Sequence, residues 1–170
     1  MTRKISQLVA VMGLALATPV LSDIRAETAQ AAHTVYLAAI NSNNLDRFLE
    51  TVTDDVVFIP PGTPVMEGKS DVTPWVRGYF DAAQTSWEKR SLEFVVAVDW
   101  AFERYAFTAT DVPHGAGLAT VSTGHGIHIY RREDDGAWRV ARDIWSNTNT
   151  SILSSSLPVA PACSGPAGPC

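Results

Sequence analysis

The spacing of apolar residues changes once along this chain, and that change limits what the chain can fold into. Up to about Gln84 apolar residues recur chiefly at three- and four-residue steps; beyond it they alternate. Ala32, Val35, Tyr36, Ala39 and Ile40 make one stripe of a helix over 27–41. Asn44 is placed to cap a second helix whose buried side is Leu45, Phe48, Leu49 and Val52. A short strand, Val56-Val57-Phe58-Ile59, is ended by Pro60-Pro61-Gly62, because proline cannot continue a ladder and glycine permits the turn. A third helix, capped by Ser70 or Asp71 with Pro74 in its first turn, carries Trp75, Val76, Tyr79 and Phe80.

The alternating part supplies the strands. Leu92, Phe94, Val96, Val98 and Trp100 fall on one side of the first, with further strands over 104–112, 119–131 and 138–145. Glu133-Asp134-Asp135-Gly136 joins the last two as a hairpin with Asp-Gly at its centre. Helices ahead of a meander of antiparallel strands predict an α+β domain with its helices gathered on one sheet face.

Composition assigns the two ends. The chain has 170 residues, 46% hydrophobic and 18% charged, which fits one globular domain. A basic start (Arg3, Lys4), the apolar run 5–17 and small residues before Ser22 read as a secretory signal over 1–22, with cleavage after Ala26 as the alternative. The run falls short of the roughly 20 residues a membrane span needs, so no stable membrane insertion is expected after cleavage. Removal of the segment leaves 11 basic against 18 acidic residues, an acidic protein with no basic cluster for nucleic acid. The segment 151–170 is rich in Ser, Pro, Ala and Gly and reads as a tail, in which Cys163 and Cys170 could close a small disulfide loop in an exported protein. The folded part, over 27–149, contains no cysteine.

Two stretches carry a family likeness. The run from Tyr36 through Asn41-Ser-Asn-Asn to Asp46, then Thr53-Asp-Asp-Val-Val-Phe58, resembles the opening of the nuclear transport factor 2-like superfamily. The close, Arg131-Arg-Glu-Asp-Asp-Gly-Ala-Trp-Arg-Val-Ala-Arg-Asp-Ile-Trp145, resembles its SnoaL-like and ketosteroid isomerase-like branch. The resemblance implies a curved sheet wrapped around the helices as a cone, an apolar pocket at the open end, and a homodimer. It fixes no activity, because this fold serves isomerases, cyclases, dehydratases, hydrolases and non-enzymes.

Asp143 is the candidate acid–base residue: alternation sets it on one face with Ala141 and Trp145, and apolar neighbours would raise its pKa. The competing role is an ion pair with Arg104, Arg139 or Arg142. Tyr36 matches the isomerase tyrosine that donates to an enolate oxygen, but the isomerase base position falls on Pro60, which cannot take a proton. Trp75, Tyr79, Trp100, His128 and Trp145 are the candidate walls of a site for a small apolar molecule. His125 and His128 lie an odd number of residues apart on one strand and so face opposite ways, which excludes them as a ligand pair; no metal or cofactor is expected. His33 shares a helix side with Tyr36 and could reach its hydroxyl or face solvent. These readings point to an exported, periplasmic or secreted acid–base isomerase, lyase or hydrolase. The alternative is a ligand-binding or dimerisation module of the same fold.

Overall fold

The computed structural model describes residues 28–153. The expected signal segment, nearly all of the expected tail, Cys163 and Cys170 lie outside the described residues. Helix α1 (Ala29–Asn41) begins at Thr28, whose hydroxyl accepts from the Ala31 amide; helix α2 (Leu45–Leu49) begins at Asn44, which caps Arg47 in the same way. Strand β1 (Val52–Ile59) and the two-residue strand β2 (Met66–Glu67) precede helix α3 (Gly68–Ala82). That helix starts earlier than expected. Its N-cap is Glu67, not Ser70 or Asp71, which carries Pro74 beyond the first turn.

Four long strands follow: β3 (Ala83–Ala97), β4 (Trp100–Pro113), β5 (Thr120–Arg132) and β6 (Trp138–Ile152). Each outruns its expected span or shifts from it, and β6 enters the segment read as tail. The sheet order is β2-β1-β6-β5-β4-β3. It is mixed, since β1 runs parallel to β6 while every other pairing is antiparallel. The three helices cover one face, where Tyr36, Ile40, Phe48, Phe58, Val72 and Val76 are buried together. This is the α+β architecture that the periodicity implied.

Strand β3 corrects two expectations. Its alternation begins at Ala83, so Trp87 is a strand residue facing the helices. Its far end is solvated: Val96 and Val98 are exposed, and Trp100 opens β4 after a turn through Val98 and Asp99. Alternation also breaks in β6. Ile129 pairs with Arg142 but Tyr130 pairs with Val140, leaving Ala141 as a bulge. An extra residue returns the next side chain to the same face. Val140, expected opposite Asp143, therefore joins it in the interior.

Two glycines of β5 make room for large rings. A methyl at Gly126 would collide with the ring of Tyr105, its cross-strand partner, and one at Gly124 would lie 2.7 Å from the Phe107 ring. The Gly124-His125-Gly126 motif thus lets two aromatic side chains lie flat across the sheet. Gly126→Ala should destabilise the fold by about 1–3 kcal/mol through overpacking. Gly78→Ala, on the exposed side of α3 with nothing within 4 Å, should raise the melting temperature instead. Paired thermal melts read both signs.

Candidate functional site

The site is a single rung of the sheet. Register pairs Glu103 on β4 with His128 on β5, and His128 with Asp143 on β6. All three point under the helices, with Glu103 and His128 fully buried and Asp143 4% exposed. The imidazole lies between two carboxylates: Nδ1 is 3.0 Å from Glu103 Oε2 and Nε2 is 3.3 Å from Asp143 Oδ1. An acid–histidine–acid rung without solvent survives only if its charges and lone pairs are matched.

Asp143 is matched on both oxygens. Tyr36 donates its hydroxyl to Oδ2 at 2.9 Å and Tyr105 donates to Oδ1 at 2.8 Å. Burial alone would raise the Asp143 pKa, as the apolar setting suggested. His128, the nearby Lys89 and the donated hydrogen bonds outweigh it and hold the carboxyl below the ordinary range. The expectation of a raised pKa is therefore reversed: the residue is an anion that organises its neighbours. Burial, reinforced by that anion, pushes the Tyr36 and Tyr105 hydroxyls well above the usual tyrosine range and keeps them protonated. Since the Tyr36 proton is already given to Asp143, it is not a free donor for a substrate oxygen. None of the three candidate arginines reaches Asp143; Arg104 pairs with Glu93, Arg139 with Asp135 and Arg142 with Asp55.

Glu103 is the second anchor. Tyr130 donates to Oε2 at 2.5 Å and also lies 2.8 Å from His128 Nδ1. Burial works against the Glu103 anion, but His128, His33 and Tyr130 overcome it and keep the carboxyl ionised. His33 does not bond to Tyr36, and its side chain is 17% exposed. Its Nδ1 lies 2.8 Å from Glu103 Oε1, off the line of a good hydrogen bond. His33, Glu103 and His128 bring nitrogen and oxygen atoms within 4.8 Å of one another, and those of Glu103 and His128 are already bonded to each other and to Tyr130. The sequence did not bring these three residues together; the parity argument separating His125 from His128 holds, with His125 exposed and His128 buried.

Lys89 completes the constellation and was not anticipated from sequence. Its Nζ is 3.1 Å from His128 Nε2. It also sits 4.4 Å from the Tyr105 ring centre and 4.9 Å from that of Tyr36. A lysine and an imidazole nitrogen at that distance share one proton between them: an ammonium donates to neutral Nε2, or a protonated Nε2 donates to a neutral amine. Burial pushes the Lys89 pKa down, against the pull of Asp143 and Glu103.

Lys89, Asp143 and Tyr36 face a narrow cleft with a cavity volume of about 40 Å³. Its walls include Trp75, Tyr79, Trp87 and Trp145, so three of the five expected wall residues stand where they were placed. Trp75 stacks on Tyr79, and Tyr79 is pinned by donation to Asp111 at 2.5 Å and by the Trp87 indole N–H at 3.1 Å. Pro60 and Pro61 lie at an adjoining groove beside Trp75 and Trp145. His128 stands behind Lys89, outside the lining. Trp100 is a correction: it is 43% exposed at the far end of the sheet, over the guanidinium of Arg131. Its place in the expected strand put it on the pocket face; the turn at Val98 and Asp99 takes it away.

The two depressed carboxyls set the acid stability. A folded pKa below the unfolded value stabilises the fold above that unfolded value, about 4 for a carboxyl, and the contribution is lost as pH falls below it. Urea melts should therefore show stability dropping steeply below about pH 4. Asp143→Asn should cost about 3–5 kcal/mol near neutrality, by leaving the positive charge shared by Lys89 and His128 without its anion, and flatten that acid limb. An unchanged limb would show that Asp143 carries no such linkage.

Comparison with known proteins agrees with this architecture. A family model for the SnoaL-like domain matches residues 34–141. The ketosteroid isomerase-like protein of Erwinia carotovora atroseptica superposes with a TM-score of 0.65 at 28% identity, over 71% of this chain and 93% of that one. A scytalone dehydratase-like protein of Novosphingobium aromaticivorans gives 0.66 at 14% identity, over 74% and 85%. The type 3 hexachlorocyclohexane dehydrochlorinase of Novosphingobium barchaimii gives 0.63 at 13%, over 74% and 88%. A search of curated proteins finds no match in sequence. The chain belongs to the SnoaL-like domain family, within the nuclear transport factor 2-like superfamily.

Proposed function

We propose that the protein is a proton-transfer enzyme of isomerase or lyase type, acting on a small, largely apolar molecule. One observation carries this reading: Lys89 Nζ, 3.1 Å from His128 Nε2, lines an aromatic cleft. Lys89 meets the substrate, and His128 receives or returns the proton behind it. Asp143 and Glu103 hold the imidazole at its two nitrogens, so the pair needs no rearrangement as charge moves. Isomerase-like, dehydratase-like and dehydrochlorinase neighbours of the same fold support the reaction class, since each of those reaction types moves a proton at carbon. We also propose that the acidic chain works outside the cytoplasm, after loss of its basic N-terminal segment, and as a homodimer.

A binding module alone would need the aromatic walls but not a half-buried lysine against a histidine between two carboxylates. Lys89 and His128 in place of the aspartate and tyrosine first considered put the reacting proton on nitrogen.

The substrate need not be known for a test. In heavy water, the protein should accelerate exchange of the α-hydrogens of small ketones such as 2-indanone, read by proton NMR. His128→Asn and Lys89→Met should each lose about 10²–10⁴-fold of that acceleration. No acceleration with a panel of cyclic and aromatic ketones, or full exchange in both variants, would overturn the proposal.

A further inference from the structure

Lys89 is an unusual lysine, half-buried at the wall of the cleft. Among the described residues no carboxylate stands in ion-pair contact with its Nζ, whose one hydrogen-bond partner is a neutralisable imidazole. The rest of its surroundings are aromatic rings, with Trp87 at 5.2 Å beside Tyr36 and Tyr105. Lys69, by contrast, is paired with Asp54 at 2.8 Å on the surface. A desolvated amine without a direct counter-ion, open to an apolar cleft, is the environment in which a lysine becomes a nucleophile toward carbonyl carbon.

We infer that Lys89 forms a Schiff base with an aldehyde or ketone held in the cleft, so that the substrate class is a small apolar carbonyl compound. The inference rests on the proton-transfer reading above and makes the lysine a covalent participant in it. The neutral Nζ adds to the carbonyl carbon, and the carbinolamine loses its hydroxyl as water with a proton from His128. The resulting iminium draws electrons from the adjacent C–H bond. That proton passes to the now neutral His128, leaving an enamine. With a β,γ-unsaturated substrate this enamine is a dienamine; the proton held by His128 returns at its far carbon to restore an iminium, and water then releases the conjugated carbonyl compound and the free amine and gives His128 back its proton. Every proton lent by His128 is returned, and no oxidant or reductant is consumed.

The chain suits a direct test because it has only three lysines, Lys4, Lys69 and Lys89. The full-length protein is incubated with benzaldehyde and sodium cyanoborohydride, which reduces an iminium to a stable benzylamine. Intact mass and peptide mapping then locate the adduct. Lys89 should be modified at least tenfold faster than Lys69, and Lys89→Arg should lose that fast adduct while Lys69 still reacts slowly. His128→Asn, which removes the proton donor but leaves the amine, should slow trapping at Lys89. Trapping no faster at Lys89 than at Lys69 overturns the covalent step. If ketone exchange is nonetheless lost in Lys89→Met, the lysine acts as a proton carrier only and the broader reading stands. Fast trapping at Lys89 without any ketone exchange would instead sink the broader reading while keeping the reactive amine.

Discussion

A carboxylate held as an anion in a place without water governs this structure. Asp143 is 4% exposed, yet two tyrosine hydroxyls and an imidazole converge on it. Moving such a charge out of water costs several kcal/mol, which only well-directed donors and nearby cations offset. Much of the neighbouring sequence can be understood as meeting that demand. Tyr36 comes from α1, Tyr105 lies across the sheet because Gly126 has no side chain, and the bulge at Ala141 keeps Val140 on the same interior face. His128 then transfers the requirement to Glu103, which needs Tyr130 and His33 in turn. The result is a polar seam through an otherwise apolar interior. Most of its members are hydrogen-bonded to one another, with His33 Nδ1 and Glu103 Oε1 the exceptions, and such networks tend to rigidify.

That rigidity is what gives the cleft its chemistry. Lys89 is poised between an imidazole that can take its proton and aromatic faces that favour its charge. Neither influence wins outright, and the amine is left easier to deprotonate than a solvated one. The aromatic walls are fixed separately, through Tyr79 and its bonds to Asp111 and Trp87. A shaped apolar wall and a tuned proton carrier are thus assembled from different strands, so substrate choice and proton chemistry can vary independently.

The fold was legible because its signals are local. Three-and-four spacing, the Asn44 cap and the Asp-Gly turn each depend on neighbours in sequence. The parallel β1–β6 pairing was not legible, since nothing in either strand specifies a partner some eighty residues away. Within the site, alternation correctly set Asp143 beside Trp145 and His128 opposite His125. It failed at Ala141, because a bulge is a property of register rather than of composition. Glu103 lies one residue before the span read as its strand, and Lys89 fell in a stretch assigned to no element. The Asp143 pKa was misjudged for a related reason: burial can be guessed from neighbours in sequence, but the groups that overcome it, His128, Lys89 and Tyr105, come from β5, β3 and β4.

The ionisation of Asp143 is the point on which the account stands, and it can be observed directly. With 13C-labelled aspartate carboxyls, the Asp143 resonance, assigned through Asp143→Asn, can be followed by NMR as pH is lowered. The account predicts an ionised shift throughout the range in which ordinary aspartates titrate, near pH 4, with any change arriving only as the fold is lost. A midpoint at or above the ordinary aspartate value in the folded protein would contradict it, and would return Asp143 to the role of a titrating acid.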